Sequence, residues 1–130
     1  MPLSLRRTKG RRETGGFIAL PHRVIRHSKF ICLSPRAVKL LLDFSAQFTG
    51  NNNGDLTAAW TVMQLRGWTS RDQLFKAQRE LEETGFILRT RQGGRHLCNL
   101  FAITFYAIDD CDGKLEVEAT RAPPGDWMKN

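Results

Sequence analysis

The longest run of periodic hydrophobic positions begins just after a proline. Ala37, Leu40, Leu41, Phe44 and Phe48 recur at i, i+3, i+4, i+7 and i+11, with Val38 and Leu42 widening the stripe. That spacing puts one continuous apolar face on an α-helix. Ser34-Pro35 marks its start, since a serine hydroxyl caps free N–H groups and proline is tolerated at the first helical position. It stops at Thr49-Gly50-Asn51-Asn52-Asn53-Gly54, a run that favours turns and left-handed backbone. Upstream, Leu20 to Phe30 mixes Val24, Ile25 and Phe30 with His22, Arg23, Arg26 and Lys29, which predicts one short helix packing a single face.

Further along the chain the periods shorten. Leu56-Thr57 leaves room for a very short strand, and residues 58–66 read as a second helix using Ala59, Val62 and either Met63 or Leu65. Gly67 stops it. Thr69 or Ser70 caps a third helix over 71–84, with Leu74, Ala77 and Leu81 as its core face and Gly85 as a C-cap glycine. Residues 86–91 read as a strand, Gln92-Gly93-Gly94-Arg95 as a hairpin turn, and residues 97–105 as the returning strand. Helix, helix, turn, helix, strand, glycine turn, strand is the order of a single winged helix-turn-helix domain. The fold class expected is α+β, mainly α, with a two- or three-stranded wing sheet. Trp60, Trp68 and Trp127 are expected to pack within the chain.

A length of 130 residues suits one domain. A basic flexible arm is expected over 1–16, the folded domain over 17–105, and an acidic, proline-containing extension over 106–130. No apolar run approaches the ~18–20 residues that span a bilayer. Residues 1–12 carry charge without an apolar stretch behind it, so no secretory signal and no membrane partner are expected. Three cysteines make no disulfide framework, which suits a reducing, cytoplasmic compartment.

Lys+Arg number 20 against 13 Asp+Glu, a net charge of +7. Residues 1–12 hold five cations and no acid, residues 17–105 twelve cations and six acids, and residues 106–130 three cations and six acids. A basic arm and body followed by an acidic tail point toward a polyanionic partner, the plain alternative being a solvated arm and a surface charged for solubility.

In a winged helix the third helix enters the major groove, which is wide enough to take an α-helix. On the wheel centred on Leu74, Ala77 and Leu81, the residues pointing outward are Asp72, Lys76, Arg79 and Glu83. Gln73 suits an adenine edge, and Arg71, Lys76 and Arg79 suit guanine or phosphate. Thr69 and Ser70, at the helix start, suit a phosphate oxygen. Arg91 and Arg95 flank the glycine turn and make the wing tip positive. The candidate contacts to double-stranded DNA are therefore Thr69, Ser70, Arg71, Gln73, Lys76, Arg79, Arg91 and Arg95. The plain alternative is that Asp72, Lys76, Arg79, Glu80 and Glu83 form a solvated face with i, i+4 pairs. Phe75 lies about 100° from the core centre. It either flanks the core or exposes an aromatic ring where a protein partner can bind.

Other chemistry finds no pattern. Cys32, Cys98 and Cys111 with His22, His27 and His96 supply no C-x2-C or H-x3-H pair, only His96-x-Cys98. Asp110-x-Asp112-Gly113 carries its glycine two positions early for a calcium loop. No nucleophile stands in a known order with a base, and no phosphate loop or dinucleotide fingerprint occurs. Neither an enzyme, a metal nor a cofactor is expected.

Gly67-Trp68-Thr69-Ser70-Arg71-Asp72 with Leu81, then Thr84-Gly85-Phe86-Ile87 and Thr90-Arg91-Gln92-Gly93-Gly94, resembles a family of small winged helix-turn-helix proteins. These occur in proteobacterial genomes, prophages and integrative elements. Leu20-Pro21-His22, Leu33-Ser34-Pro35, the turn over 50–56, and Gly113-Lys114-Leu115 near Trp127 are similar to its flanking signatures, so the resemblance covers about residues 16–127. Phe101-Ala102-Ile103-Thr104-Phe105 departs from the family's usual strand. The resemblance implies DNA binding with no settled target. The expected function is a non-enzymatic double-stranded-DNA binder of a bacterial mobile element or phage, acting in transcription regulation or replication initiation. The alternative is a winged-helix protein-binding module, such as a phage-encoded inhibitor of a host or defence complex. No heptad is present for a strong dimer, so a monomer or weak homodimer is expected.

Overall fold

Two single turns of helix stand where one was expected over 20–30. In the computed structural model, which describes residues 15–129, they are α1 (His22–Ile25) and α2 (Ser28–Ile31). Between them His27 takes extended backbone, and its Nδ1 accepts the Lys29 amide at 3.1 Å. The imidazole thus caps a new helix instead of continuing the old one. The basic arm expected over 1–16 lies outside the described residues except for Gly15 and Gly16.

The rest follows in the order α3 (Pro35–Gln47), α4 (Trp60–Leu65), α5 (Arg71–Thr84), β1 (Ile87–Arg91) and β2 (Leu100–Ile103). Two 3₁₀ turns, Cys111–Gly113 and Asp126–Met128, lie in the C-terminal segment. The fold is α+β and mainly helical, with five α-helices and one two-stranded antiparallel sheet among the described residues. Within these residues no helix is long and apolar enough to cross a membrane.

Serine caps the two long helices. Ser34 Oγ accepts the Ala37 amide and Ser70 Oγ the Gln73 amide, both at 3.2 Å. The central face of α3 is buried at Ala37, Leu40, Leu41 and Phe44, against Leu74, Ala77 and Leu81 of α5. Leu42 falls outside that stripe and is exposed. In α4, Met63 is the residue that turns inward, while Leu65 remains 87% exposed. Gly85 ends α5 at φ +86°, the left-handed conformation that a glycine adopts without penalty.

The hairpin is shorter at its return than expected. Ile87 pairs with Ile103 and Arg89 with Phe101, then a bulge at Thr90 sets Arg91 opposite Leu100. Leu56 adds a single bridge on the other side of Phe101, with backbone hydrogen bonds of 3.2 and 2.8 Å. The strand expected over 97–105 covers only Leu100–Ile103, and the tight turn shifts onto Arg95-His96 between Gly94 and Leu97. The cause is local. Gly93 is crossed by backbone so closely that a Cβ there would sit 2.5 Å from the Leu97 carbonyl oxygen, and its amide donates to Asn99 Oδ1 at 2.6 Å. That bond, with the Gly94 amide donating to the Leu97 carbonyl at 2.9 Å, holds residues 97–99 as a loop.

The acidic C-terminal segment packs on this framework. Glu116 donates its amide to the Thr90 carbonyl at 2.7 Å and accepts the Gln92 amide at 3.0 Å. Trp127 is buried, stacked on Phe86 at 6.0 Å and edge-on to His27 at 5.0 Å.

Glu80 corrects the solvated-face alternative. Its two oxygens accept the Ser34 amide at 2.7 Å and the Ser34 hydroxyl at 2.5 Å. A carboxylate from α5 therefore completes the N-terminal cap of α3, at the end where the helix dipole favours negative charge. Glu80→Ala is expected to lower the unfolding free energy by about 1.5 kcal/mol, measured by urea denaturation. A change below about 0.5 kcal/mol would show that water replaces the carboxylate without loss.

Candidate nucleic-acid interface

The placement of α5 depends on a group that the hydrophobic pattern did not single out. Asp43, on α3, is 2% exposed and accepts three hydrogen bonds. They come from Trp68 Nε1 at 2.7 Å, Lys39 Nζ at 2.9 Å and Arg66 Nε at 3.0 Å. Lys39 Nζ also donates to the Arg66 carbonyl at 2.7 Å, closing the C-terminal end of α4. The turn between α4 and α5 is thereby fastened to α3 by charge and indole together. No periodicity links position 43 to 66 and 68, so only the fold brings them together.

The outward side of α5 carries Asp72, Phe75, Lys76, Arg79 and Glu83, all exposed. Lys76 pairs with Asp72 at 3.0 Å and Arg79 with Glu83 at 3.7 Å. Exposed i, i+4 pairs contribute only ~0.3–0.5 kcal/mol, so a polyanion can take over either cation at small cost. These four charges cancel, and the positive surplus of the surface lies on its flanks.

On one flank Arg36 donates from Nη1 to Gln73 Oε1 at 2.7 Å. Arg36 was absent from the sequence candidates, and the amide oxygen of Gln73 is engaged by it. On the other flank the Arg71 guanidinium lies 5.3 Å from the centre of the Trp60 ring. Trp60 is thus a half-buried plate beneath a cation, whereas Trp68 is buried. Phe75 is 54% exposed, with the Arg79 guanidinium 5.8 Å from its ring centre. The open question at Phe75 resolves toward exposure. Ser70 serves as the N-cap, and Thr69 beside it is exposed.

The hairpin lies along the Gln78 side of α5, where Gln78, Gly93, Leu97 and Asn99 line a cleft of about 330 Å³ with Ala58 and Ala59. Arg95 is exposed at the turn and makes no hydrogen bond or ion pair among the described residues. Arg91 is not beside it at the tip. Its Nη2 donates to the Cys98 carbonyl at 3.0 Å and braces the hairpin.

The thiols sit apart. Cys32 and Cys98 are exposed and Cys111 is half-buried. Burial pushes the Cys111 thiol above its ordinary value, with Asp55 and Asp109 adding to the effect and Lys114 opposing it. Among the described residues no three His, Cys, Asp or Glu side chains are placed so that they could hold a metal ion.

Comparison with protein-family models, curated proteins and solved structures finds no match to this chain.

Proposed function

We propose that the chain is a winged helix-turn-helix protein that binds double-stranded DNA without catalysing a reaction. In this reading α4, the turn over 66–70 and α5 form the helix-turn-helix. The hairpin, with Leu56 as a one-residue third strand, is the wing. The observation that carries it is that Arg71, Lys76 and Arg79 all lie exposed on α5, the helix entered through the turn that the Asp43 network fastens to α3. The wing tip adds Arg95. Backbone contacts from Arg95 and the flanking Arg36 position the helix, while α5 faces base edges. The family resemblance extends this to a bacterial mobile element or phage protein of the cytoplasm, acting in transcription regulation or replication initiation.

The test is duplex affinity as a function of salt. Each contacted phosphate is expected to contribute a slope of about 0.9 log unit of affinity per log unit of salt. Replacing Lys76, Arg79 and Arg95 together by alanine is expected to reduce that slope by roughly 2–3. Absence of binding at low salt, or a slope unmoved by the triple variant, would refute the proposal.

One observation favours a second reading. An exposed Phe75 beside charges that cancel also suits a protein partner, such as a host or defence complex occupied by a phage protein. Under that reading Phe75→Ala weakens a protein complex while duplex affinity shows no salt-dependent component.

A further inference from the structure

Arg71, Phe75 and Arg79 follow one another at i, i+4 and i+8, so they form a single row along α5. Both cations of the row are held against aromatic rings, Arg71 over Trp60 and Arg79 over Phe75 itself. The row therefore reads cation, apolar ring, cation, and Phe75 stands more than half exposed. We infer that Phe75 makes this interface selective for thymine, taking the thymine 5-methyl group against its ring; the inference rests on the duplex-DNA function proposed above.

The chemistry leaves few alternatives at this position. A phenyl ring has no donor or acceptor, so it cannot distinguish bases by hydrogen bonding. The apolar feature on a base edge in the major groove is the thymine methyl group, and phenylalanine is one of the side chains that packs against it. An apolar protein surface covering Phe75 would have to desolvate Arg71 and the Arg79–Glu83 pair on either side of it, which is costly without further partner anions. A duplex offers the methyl group together with phosphates for those cations. The two cation–ring contacts restrain Arg71 and Arg79 before binding, so less side-chain freedom is lost on contact.

The experiment selects duplexes from a random-sequence pool with the full chain, then compares each selected duplex with a copy in which deoxyuridine replaces thymine. The two differ only in the 5-methyl group. The expected result is a thymine at a fixed position, and a loss of about fourfold in affinity when its methyl is removed, equivalent to ~0.8 kcal/mol for one buried carbon. Phe75→Ala should bind both duplexes equally while keeping the salt slope, and Phe75→Leu should keep part of the discrimination. The exposed position leaves thermal stability as a control expected to stay unchanged. If wild-type protein binds with a normal salt slope but does not distinguish deoxyuridine, thymine selectivity is overturned and the DNA function stands. If no duplex is bound with a salt-dependent affinity, both are overturned.

Discussion

Asn53→Ala is expected to cost about 4 kcal/mol of folding stability and to lower the melting temperature by roughly 15 °C. Asn53 is fully buried at the end of the polar turn that follows α3. Its Nδ2 donates to the carbonyls of Ile103 and Ala107, both at 2.9 Å, and more weakly to that of Tyr106 at 3.3 Å. Its Oδ1 accepts the Ile103 amide at 2.8 Å. The backbone of the same residue donates to Asp109 Oδ2 at 2.8 Å and accepts the Asp109 amide at 2.9 Å. One side chain thus joins the turn to the end of β2 and the start of the C-terminal segment. Alanine strands buried backbone groups that have no water to turn to, each costing about 1–3 kcal/mol.

Asn53→Asp keeps the shape and replaces the donor by a carboxylate facing carbonyl oxygens. Burial and those oxygens hold the introduced carboxyl above its unfolded value, so the folded state favours its proton. The destabilisation is therefore greatest above the folded pKa and shrinks as pH falls through it. Denaturation at neutral and acid pH separates the two variants, because Asn53→Ala, compared with wild type, has no such pH term. Equal stability of the Asp variant and wild type at neutral pH would show that the donor is dispensable.

Asp43→Ala is expected to cost about 3 kcal/mol, or roughly 12 °C in melting temperature. Trp68 Nε1 would lose its partner in a buried place, which accounts for most of the loss. Lys39 and Arg66 are about half exposed, at 46% and 48%, so their release is partly met by water. Trp68→Phe should cost less in the Asp43→Ala background than in wild type, since the N–H it removes has already lost its partner there. The double-mutant comparison checks this, and strict additivity of the two losses would exclude the bond as a shared contributor. Because the same network fixes the turn before α5, Asp43→Ala should also weaken duplex binding, while Lys39→Ala should do so far less.

Much of the helical framework was legible locally. Ser34-Pro35 and Ser70 marked helix starts, and Gly85 marked an end, because caps and φ preference act within a few residues. The buried faces of α3 and α5 followed from the 3.6-residue period, which reports one side of one helix. The errors arose where a distant or non-periodic contact decided. His27 split the first helix by capping a second one, and the approach of residues 97–99 to Gly93 shortened the returning strand.

The candidate surface was legible in kind and not in arrangement. The outward residues of α5 followed from the wheel, and the pairs Asp72–Lys76 and Arg79–Glu83 from their spacing. Arg36 on Gln73, Trp60 under Arg71, Glu80 on Ser34 and Arg91 on Cys98 were not legible, since each joins elements that no sequence period relates.

The sequence by itself determined the order of the longer helices and of the hairpin strands, which face of each long helix is apolar, and that the excess charge is positive. Those properties depend on neighbours a few residues apart, through backbone hydrogen bonding and side-chain periodicity. Only the tertiary structure decided which charges are free, which polar groups are structural, and that Phe75 faces water between two cations. The pairing of the polar groups that the core encloses is set by residues distant in the chain, 25 positions for Asp43 with Trp68 and 50 for Asn53 with Ile103. Such contacts exist only after the chain has closed on itself, and the polar groups trapped there must then find partners or cost the fold its stability.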